Sequence, residues 1–113
     1  MKSDNVYIFH IIDSMDQIAK YTDQLDYNSF KENRMIQDAV IRNLEIIGEA
    51  AKNISNTIKA DHPKIPWKQM AGMRDKLIHN YMGVDLDAVW NTIEKAVPDL
   101  RSDLQRIINS KDV

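Results

Sequence analysis

Apolar residues recur along the chain at steps of three and four, the spacing of one face of an α-helix, in four separate segments. The first segment runs from about Asp4 to Leu25. The second starts at a predicted capping box, formed by Ser29 and Glu32, and keeps a single apolar face for several turns. The members of that face are Ile36, Val40, Leu44, Ile47, Ala51, Ile54 and Ile58.

Two prolines, Pro63 and Pro66, separate the second segment from the third, because neither residue can continue a helix interior. Pro66 suits the first turn of a new helix, which the spacing extends to about Tyr81, with Gly83 just past its end. Asp85 is predicted to cap the fourth helix. Pro98 is expected to kink or restart that helix.

Amphipathic helices joined by short connections pack antiparallel, so the sequence predicts an all-α fold, an up-and-down four-helix bundle with room for an extra short helix. We expect residues 1–113 to form a single helical domain. The second helix is long for a chain of this size, which indicates a homodimer in which part of its apolar face meets another copy. Gly48 within that helix costs about 1 kcal/mol relative to alanine, which suggests the close approach of another backbone.

The composition excludes several classes of chemistry. The chain has no cysteine, so disulfide frameworks, thiolate nucleophiles and zinc ribbons are ruled out. Its three histidines lie far apart without metal-ligand spacing, and we expect neither a metal nor another cofactor. His10 is interpreted as a packed or dimer-face residue. No apolar stretch reaches the roughly 20 residues of a membrane span, and a cytoplasmic protein is expected.

Charge is distributed unevenly. The net charge is −2, which is not typical of a nucleic-acid-binding protein. Residues 31–76, however, hold nine basic and six acidic side chains, and this segment leads into the third helix. On charge alone, a solvated helix face is a better explanation of the excess than a binding surface.

Four polar residues crowd the end of the third predicted helix: Arg74, Asp75, His79 and Tyr81. Helical spacing places Arg74 and Tyr81 on one face and lets Asp75 bond His79. An arginine fork binds phosphate oxygens, a histidine moves protons near neutral pH, and a tyrosine donates to phosphate or stacks on a base. Since RNA carries its own nucleophile, the 2′-hydroxyl, these residue types suffice for metal-independent RNA cleavage.

A structural interpretation remains open for the same residues. A histidine in the last helical turn is stabilised by the helix dipole, and an Asp–His pair four residues apart is a common surface contact. A polar stripe on the second helix, formed by Asn43, Glu45 and Glu49, also has two interpretations. They are either solvated side chains or residues that line a cleft and orient Arg74.

The pattern Arg-x4-His-x-Tyr resembles the signature of the HEPN superfamily of ribonucleases, and most closely its HepT-like branch, the toxins of MntA–HepT (type VII) toxin–antitoxin systems. The resemblance covers nearly the whole chain. It includes residues 38–50 of the second helix, residues 65–67 before the motif and residues 82–85 after it.

The resemblance implies a homodimer whose two motif helices face each other across a cleft, with Arg74 and His79 catalytic and Asp75 supporting. It implies an RNA substrate, with tRNA suggested, and no DNA or membrane partner. It also implies a cognate MntA-like nucleotidyltransferase antitoxin that adds AMP to Tyr81. A second hypothesis stays open, in which the protein is a non-catalytic nucleotide-binding or regulatory subunit of a small nucleotidyltransferase. A third is a purely structural helical dimer.

Overall fold

A computed structural model of the chain describes residues 2–73, 75, 78–79 and 83–111. The order of elements is α1 (Lys2–Thr22), α2 (Tyr27–Glu32), α3 (Arg34–Lys52), α4 (Asn56–Asp61), α5 (Trp67–Ala71), β1 (Ile78–His79), β2 (Gly83–Val84), α6 (Leu86–Asn91), a wide segment with π-type hydrogen bonding (Thr92–Ala96) and α7 (Val97–Lys111).

The core lies between α1, α3, α5 and α7. α3 packs against α1 on one side and α5 on the other, and α7 covers another part of α1. The side chains that are completely buried are mostly those of the predicted helical stripes, among them Ile8, Ile11, Leu44, Ile47 and Leu104. The predicted all-α bundle, with additional short helices, is confirmed.

The segment predicted as one second helix forms three helices, α2, α3 and α4, so the prediction of one continuous element is wrong. Asn33 ends α2 and begins α3, where its side-chain oxygen accepts from the Ile36 N–H at 3.0 Å. Asn53 ends α3, and Ser55 caps α4. The turn between them removes little from the apolar face, because Ile54 and Ile58 stay buried on either side of Ser55. The periodic pattern therefore crosses both breaks without revealing them.

The predicted capping box at Ser29 and Glu32 is also wrong. α2 begins at Tyr27, and Asp26 is its N-cap, with a carboxylate oxygen 2.8 Å from the Ser29 nitrogen. Hydrogen bonding from Ser29 lowers the pKa of the Asp26 carboxyl. A carboxylate near the positive end of a helix competes well for this role, because charge and hydrogen bond act together.

The fourth predicted helix shows the expected irregularity near Pro98. Asp85 caps α6 by accepting from the Ala88 N–H at 3.0 Å, as predicted. The helix then widens over Thr92–Ala96 before α7 begins at Val97. A proline ring clashes with the carbonyl four residues earlier in a regular helix, and a widened turn relieves that clash.

The third predicted helix is shorter than its spacing suggests. α5 ends at Ala71, and helical conformation is also described at Met73 and Asp75. Ile78 and His79 instead pair antiparallel with Val84 and Gly83, so the expectation of a helix through Tyr81 is wrong at these positions. Isoleucine, histidine, asparagine and tyrosine at 78–81 are all mediocre helix formers, and backbone pairing satisfies carbonyl acceptors that the C-terminal end of a helix leaves open.

Candidate active site

α5, the helix that precedes the motif in the chain, packs against α3. A Cβ atom placed on Gly48 lies 3.2 Å from the carbonyl oxygen of Ala71 and 3.4 Å from that of Met70. The backbone approach predicted from Gly48 is therefore present, and the backbone belongs to the end of α5. Trp67 anchors the start of the same helix, since its ring is buried and its Nε1–H donates to the His62 carbonyl at 3.0 Å.

The motif residues are described only in part. Arg74 and Tyr81 lie outside the described residues. Asp75 is exposed and helical, and the backbone of His79 is in β1. Asp75 and His79 do not belong to one helix, so their spacing of four residues does not by itself place their side chains on one face, and their pairing stays a prediction.

A groove of about 470 Å³ lies between α1 and α3. Only part of the polar stripe of α3 (Asn43, Glu45 and Glu49) lines this groove. Glu45 and Glu49 line the groove. Asn43 is not among the lining residues. It is buried, and its amide donates to the Ala39 carbonyl at 2.9 Å within α3.

Four further polar or aromatic residues line this groove and were not predicted as site residues: Tyr7, His10, Arg42 and Asn53. His10 is exposed, so its interpretation as a packed residue is wrong, while a dimer-face role stays a prediction. The missed signal is spacing, because Arg42, Glu45 and Glu49 recur at steps of three and four. Spacing alone does not say that α1 is the helix lying opposite.

The electrostatic pattern along α3 distinguishes its two arginines. Arg34 pairs with Asp38 at 3.3 Å, one turn further along the helix. Arg42 is exposed and makes no ion pair with any residue that the structure describes. A guanidinium without a carboxylate partner, at the edge of a groove, is available to an anionic ligand.

The described part of the chain offers no metal cluster and no membrane-spanning helix. Within the described ranges, no group of three or more histidine or acidic side chains could hold a metal ion. None of the helices described is long and apolar enough to cross a lipid bilayer.

Comparison with known proteins identifies the class that this bundle and motif define. The model of the ribonuclease HepT-like family matches residues 11–107, which is most of the chain and includes the complete motif. The chain belongs to the ribonuclease HepT-like family and by that membership is an endoribonuclease, as its sequence predicts.

Individual relatives agree over nearly their full lengths. A protein of Methanocaldococcus jannaschii named as a candidate RNase is 45% identical over 102 residues, covering 90% of this chain and 88% of its own. A Thermococcus cleftensis protein named as a candidate ribonuclease HepT is 42% identical over 106 residues, covering 94% of this chain and 96% of its own. A Caldanaerobacter subterraneus candidate RNase is 37% identical over 111 residues, covering 98% of this chain and 99% of its own. No solved structure matches this chain.

Proposed function

We propose that this ribonuclease cleaves RNA without a metal ion through Arg74 and His79, with Asp75 in support, and that it is the toxin of a toxin–antitoxin system. The observation that carries the proposal is the family match, which spans the whole motif. The contact of α5 with Gly48 supports it, because it places the end of α5 against α3 three residues before Arg74 in the chain.

The chemistry follows from the side chains. His79 takes the proton of a ribose 2′-hydroxyl, and the freed 2′-oxygen attacks the adjacent phosphorus. The guanidinium of Arg74 binds the non-bridging oxygens and stabilises the charge of the pentavalent transition state. The bond from phosphorus to the 5′-oxygen then breaks, and that oxygen receives a proton. The products are a 2′,3′-cyclic phosphate and a 5′-hydroxyl end.

One histidine cannot be proton acceptor and donor in the same step, so we propose that the enzyme works as a homodimer with one His79 in each role. α1 supplies a candidate contact surface. Val6 and Phe9, three residues apart on this helix, are about half exposed at 49% and 52%. Exposed apolar neighbours on one helix face are typical of contact surfaces.

The catalytic pair is tested by incubating purified protein with total RNA, tRNA included, in the presence of EDTA. We expect wild type to cut RNA and Arg74→Ala and His79→Ala each to lose cleavage, by roughly 100-fold or more for a lost proton-transfer group. A substrate with 2′-O-methyl groups stays intact, because it has no free nucleophile. Circular dichroism confirms that the variants fold. Cleavage by both variants at the wild-type rate contradicts the site, and inhibition by EDTA contradicts the metal-free mechanism.

We further propose that AMP addition to Tyr81 regulates the enzyme. A cognate nucleotidyltransferase, acting with ATP and magnesium, transfers AMP to the hydroxyl oxygen of Tyr81 and releases pyrophosphate. The added phosphate brings negative charge into the motif that holds Arg74, and the nucleotide occupies space that RNA needs.

The switch is tested by mass spectrometry of protein produced together with the proposed cognate nucleotidyltransferase. We expect an AMP-sized adduct on the peptide that contains Tyr81 and loss of RNA cleavage in the modified protein. Tyr81→Phe keeps the ring, so it retains nuclease activity and escapes silencing. An unmodified Tyr81 in an inactive complex points instead to occlusion. If the wild-type protein binds nucleotide but cuts no RNA, it is a nucleotide-binding subunit of the transferase.

A further inference from the structure

The groove between α1 and α3 holds residues that the cleavage mechanism does not use. Tyr7 and His10 form an edge-to-face aromatic pair on α1, with ring centres 6.5 Å apart and planes at 84°. Ile46 and Ala50 line the groove from α3. An aromatic ring beside an aliphatic surface offers a sequence-tolerant stacking surface for a nucleobase.

Positive charge lies at the edge of this stacking surface. Arg42 lines the groove, and among the described residues it has no acidic partner, although Arg34 on the same helix is paired with Asp38. A nucleotide needs both features, a surface for the base and a cation for its phosphate. The two occur together here on adjacent helices.

We propose that this groove binds one nucleotide of single-stranded RNA, with the base against Tyr7 and His10 and a phosphate on Arg42. The inference rests on the proposed function for its choice of RNA. It adds recognition roles for Tyr7, His10 and Arg42, which the proposed cleavage step does not use.

The carboxylates of the groove determine which base it accepts. Glu49 is exposed and lines the groove, so its oxygens can accept hydrogen bonds from an exocyclic amino group. Cytosine presents such a group, and uracil presents a carbonyl at the same position, which a carboxylate repels. The negative charge also keeps phosphate away from this wall, which leaves Arg42 as the phosphate contact.

The position of the groove connects recognition to cleavage. Glu45 lines the groove and lies one helical turn from Gly48, where the end of α5 rests on α3. The chain continues from α5 into the motif. An RNA strand with one nucleotide in the groove therefore has neighbouring nucleotides near the end of α5, the helix that precedes the motif in the chain.

The test is binding of fluorescent 2′-O-methyl oligocytidylate and oligouridylate, which cannot be cleaved and so separate recognition from chemistry. Fluorescence anisotropy should show tighter binding of the cytidylate. Tyr7→Ala should weaken cytidylate binding roughly tenfold. Arg42→Ala should weaken both oligonucleotides and reduce the salt dependence by about 0.7 in the log–log slope. Glu49→Gln should remove much of the preference for cytosine.

Matched controls come from the same helices. Tyr21→Ala changes another tyrosine of α1, and Arg34→Ala changes another arginine of α3, and both should bind as wild type does. Tyr7 also packs against the core, so Tyr7→Phe keeps the ring and should retain binding if the variant folds. Arg42→Ala alters an exposed side chain and tests the subsite even if Tyr7→Ala unfolds.

The outcomes separate this proposal from the cleavage proposal. If wild type binds neither oligonucleotide, or Arg42→Ala binds both as tightly as Arg34→Ala does, the subsite is wrong whether or not RNA is cut. If the groove variants lose binding while the wild type cuts no RNA, the subsite stands and the nuclease mechanism fails.

Discussion

At the scale of single residues, one carboxylate joins distant parts of the chain. Asp4 is only 2% exposed near the start of α1. Its two oxygens accept from the Ser55 N–H at 2.8 Å and the Ser55 hydroxyl at 2.7 Å. Ser55 is also the N-cap of α4. The contact therefore fixes the beginning of α1 to the turn that ends α3, and burial removes much of the competition from water.

We predict that Asp4→Ala lowers the free energy of unfolding by about 2 kcal/mol, because it removes charge-assisted hydrogen bonds and leaves Ser55 donors unpaired. Urea denaturation measures the change. Asp13→Ala, on the exposed side of α1, is the matched control and should change stability by less than about 0.5 kcal/mol. Equal stability of the two variants contradicts a structural role for the Asp4 contact.

Gly48 is a residue whose role the sequence could predict. A glycine within a helix carries a cost, so its presence indicated a close backbone, and the carbonyls of Met70 and Ala71 lie there. Arg42 and His10 were harder to assign. Polar residues at helical spacing are usually solvated, and only the packing of α1 beside α3 brings these two into one groove.

At the scale of elements, local caps override the periodic pattern. The apolar stripe from Ile36 to Ile58 indicates a face, and that face is buried as predicted except at the half-buried Ile36. The breaks at Asn33 and Ser55 depend on side chains that bond the backbone N–H three residues later. Asparagine and serine also occur inside helices, so composition does not decide which of them act as caps.

We predict that Asn33→Ala destabilises the fold by about 1 kcal/mol, because α3 loses its N-cap hydrogen bond. Asn28→Ala, in the exposed first turn of α2, is the control and should be neutral or slightly stabilising, since alanine is the better helix former. The two midpoints of urea unfolding can be compared directly. If Asn33→Ala is as stable as Asn28→Ala, the break between α2 and α3 does not depend on this cap.

The motif segment shows the limit of predicting elements from spacing. Seven-residue spacing places Arg74 and Tyr81 on one face only if the backbone is helical throughout, and Ile78 and His79 are in a short strand pair instead. The residue types still indicated the chemistry, because a guanidinium and an imidazole have the same reactivity in either conformation. What spacing could not predict is their relative orientation, which depends on backbone pairing.

At the scale of the whole molecule, the surface proposed for dimer contact differs from the one that the sequence suggested. The sequence suggested pairing through the long apolar face of the second helix, yet α1 and α5 cover that face within one chain. Support now comes from the exposed Val6 and Phe9 on α1 and from the need for two histidines in one cleavage step. Met35 is more exposed, at 81%, but a single exposed methionine does not make a patch.

Subunit mixing tests whether two copies share one active site. Wild type and His79→Ala are unfolded together and refolded in varying proportions, so that chains pair at random. If cleavage needs one His79 as base and the other as acid, only wild-type dimers cut RNA, and activity falls as the square of the wild-type fraction.

Phe9→Glu should produce monomers by light scattering and lose cleavage while remaining folded, whereas Met35→Glu should stay dimeric and active. A linear fall in activity, or full activity in a monomer, shows that each chain cuts alone, because a site contained within one chain does not depend on the identity of its partner.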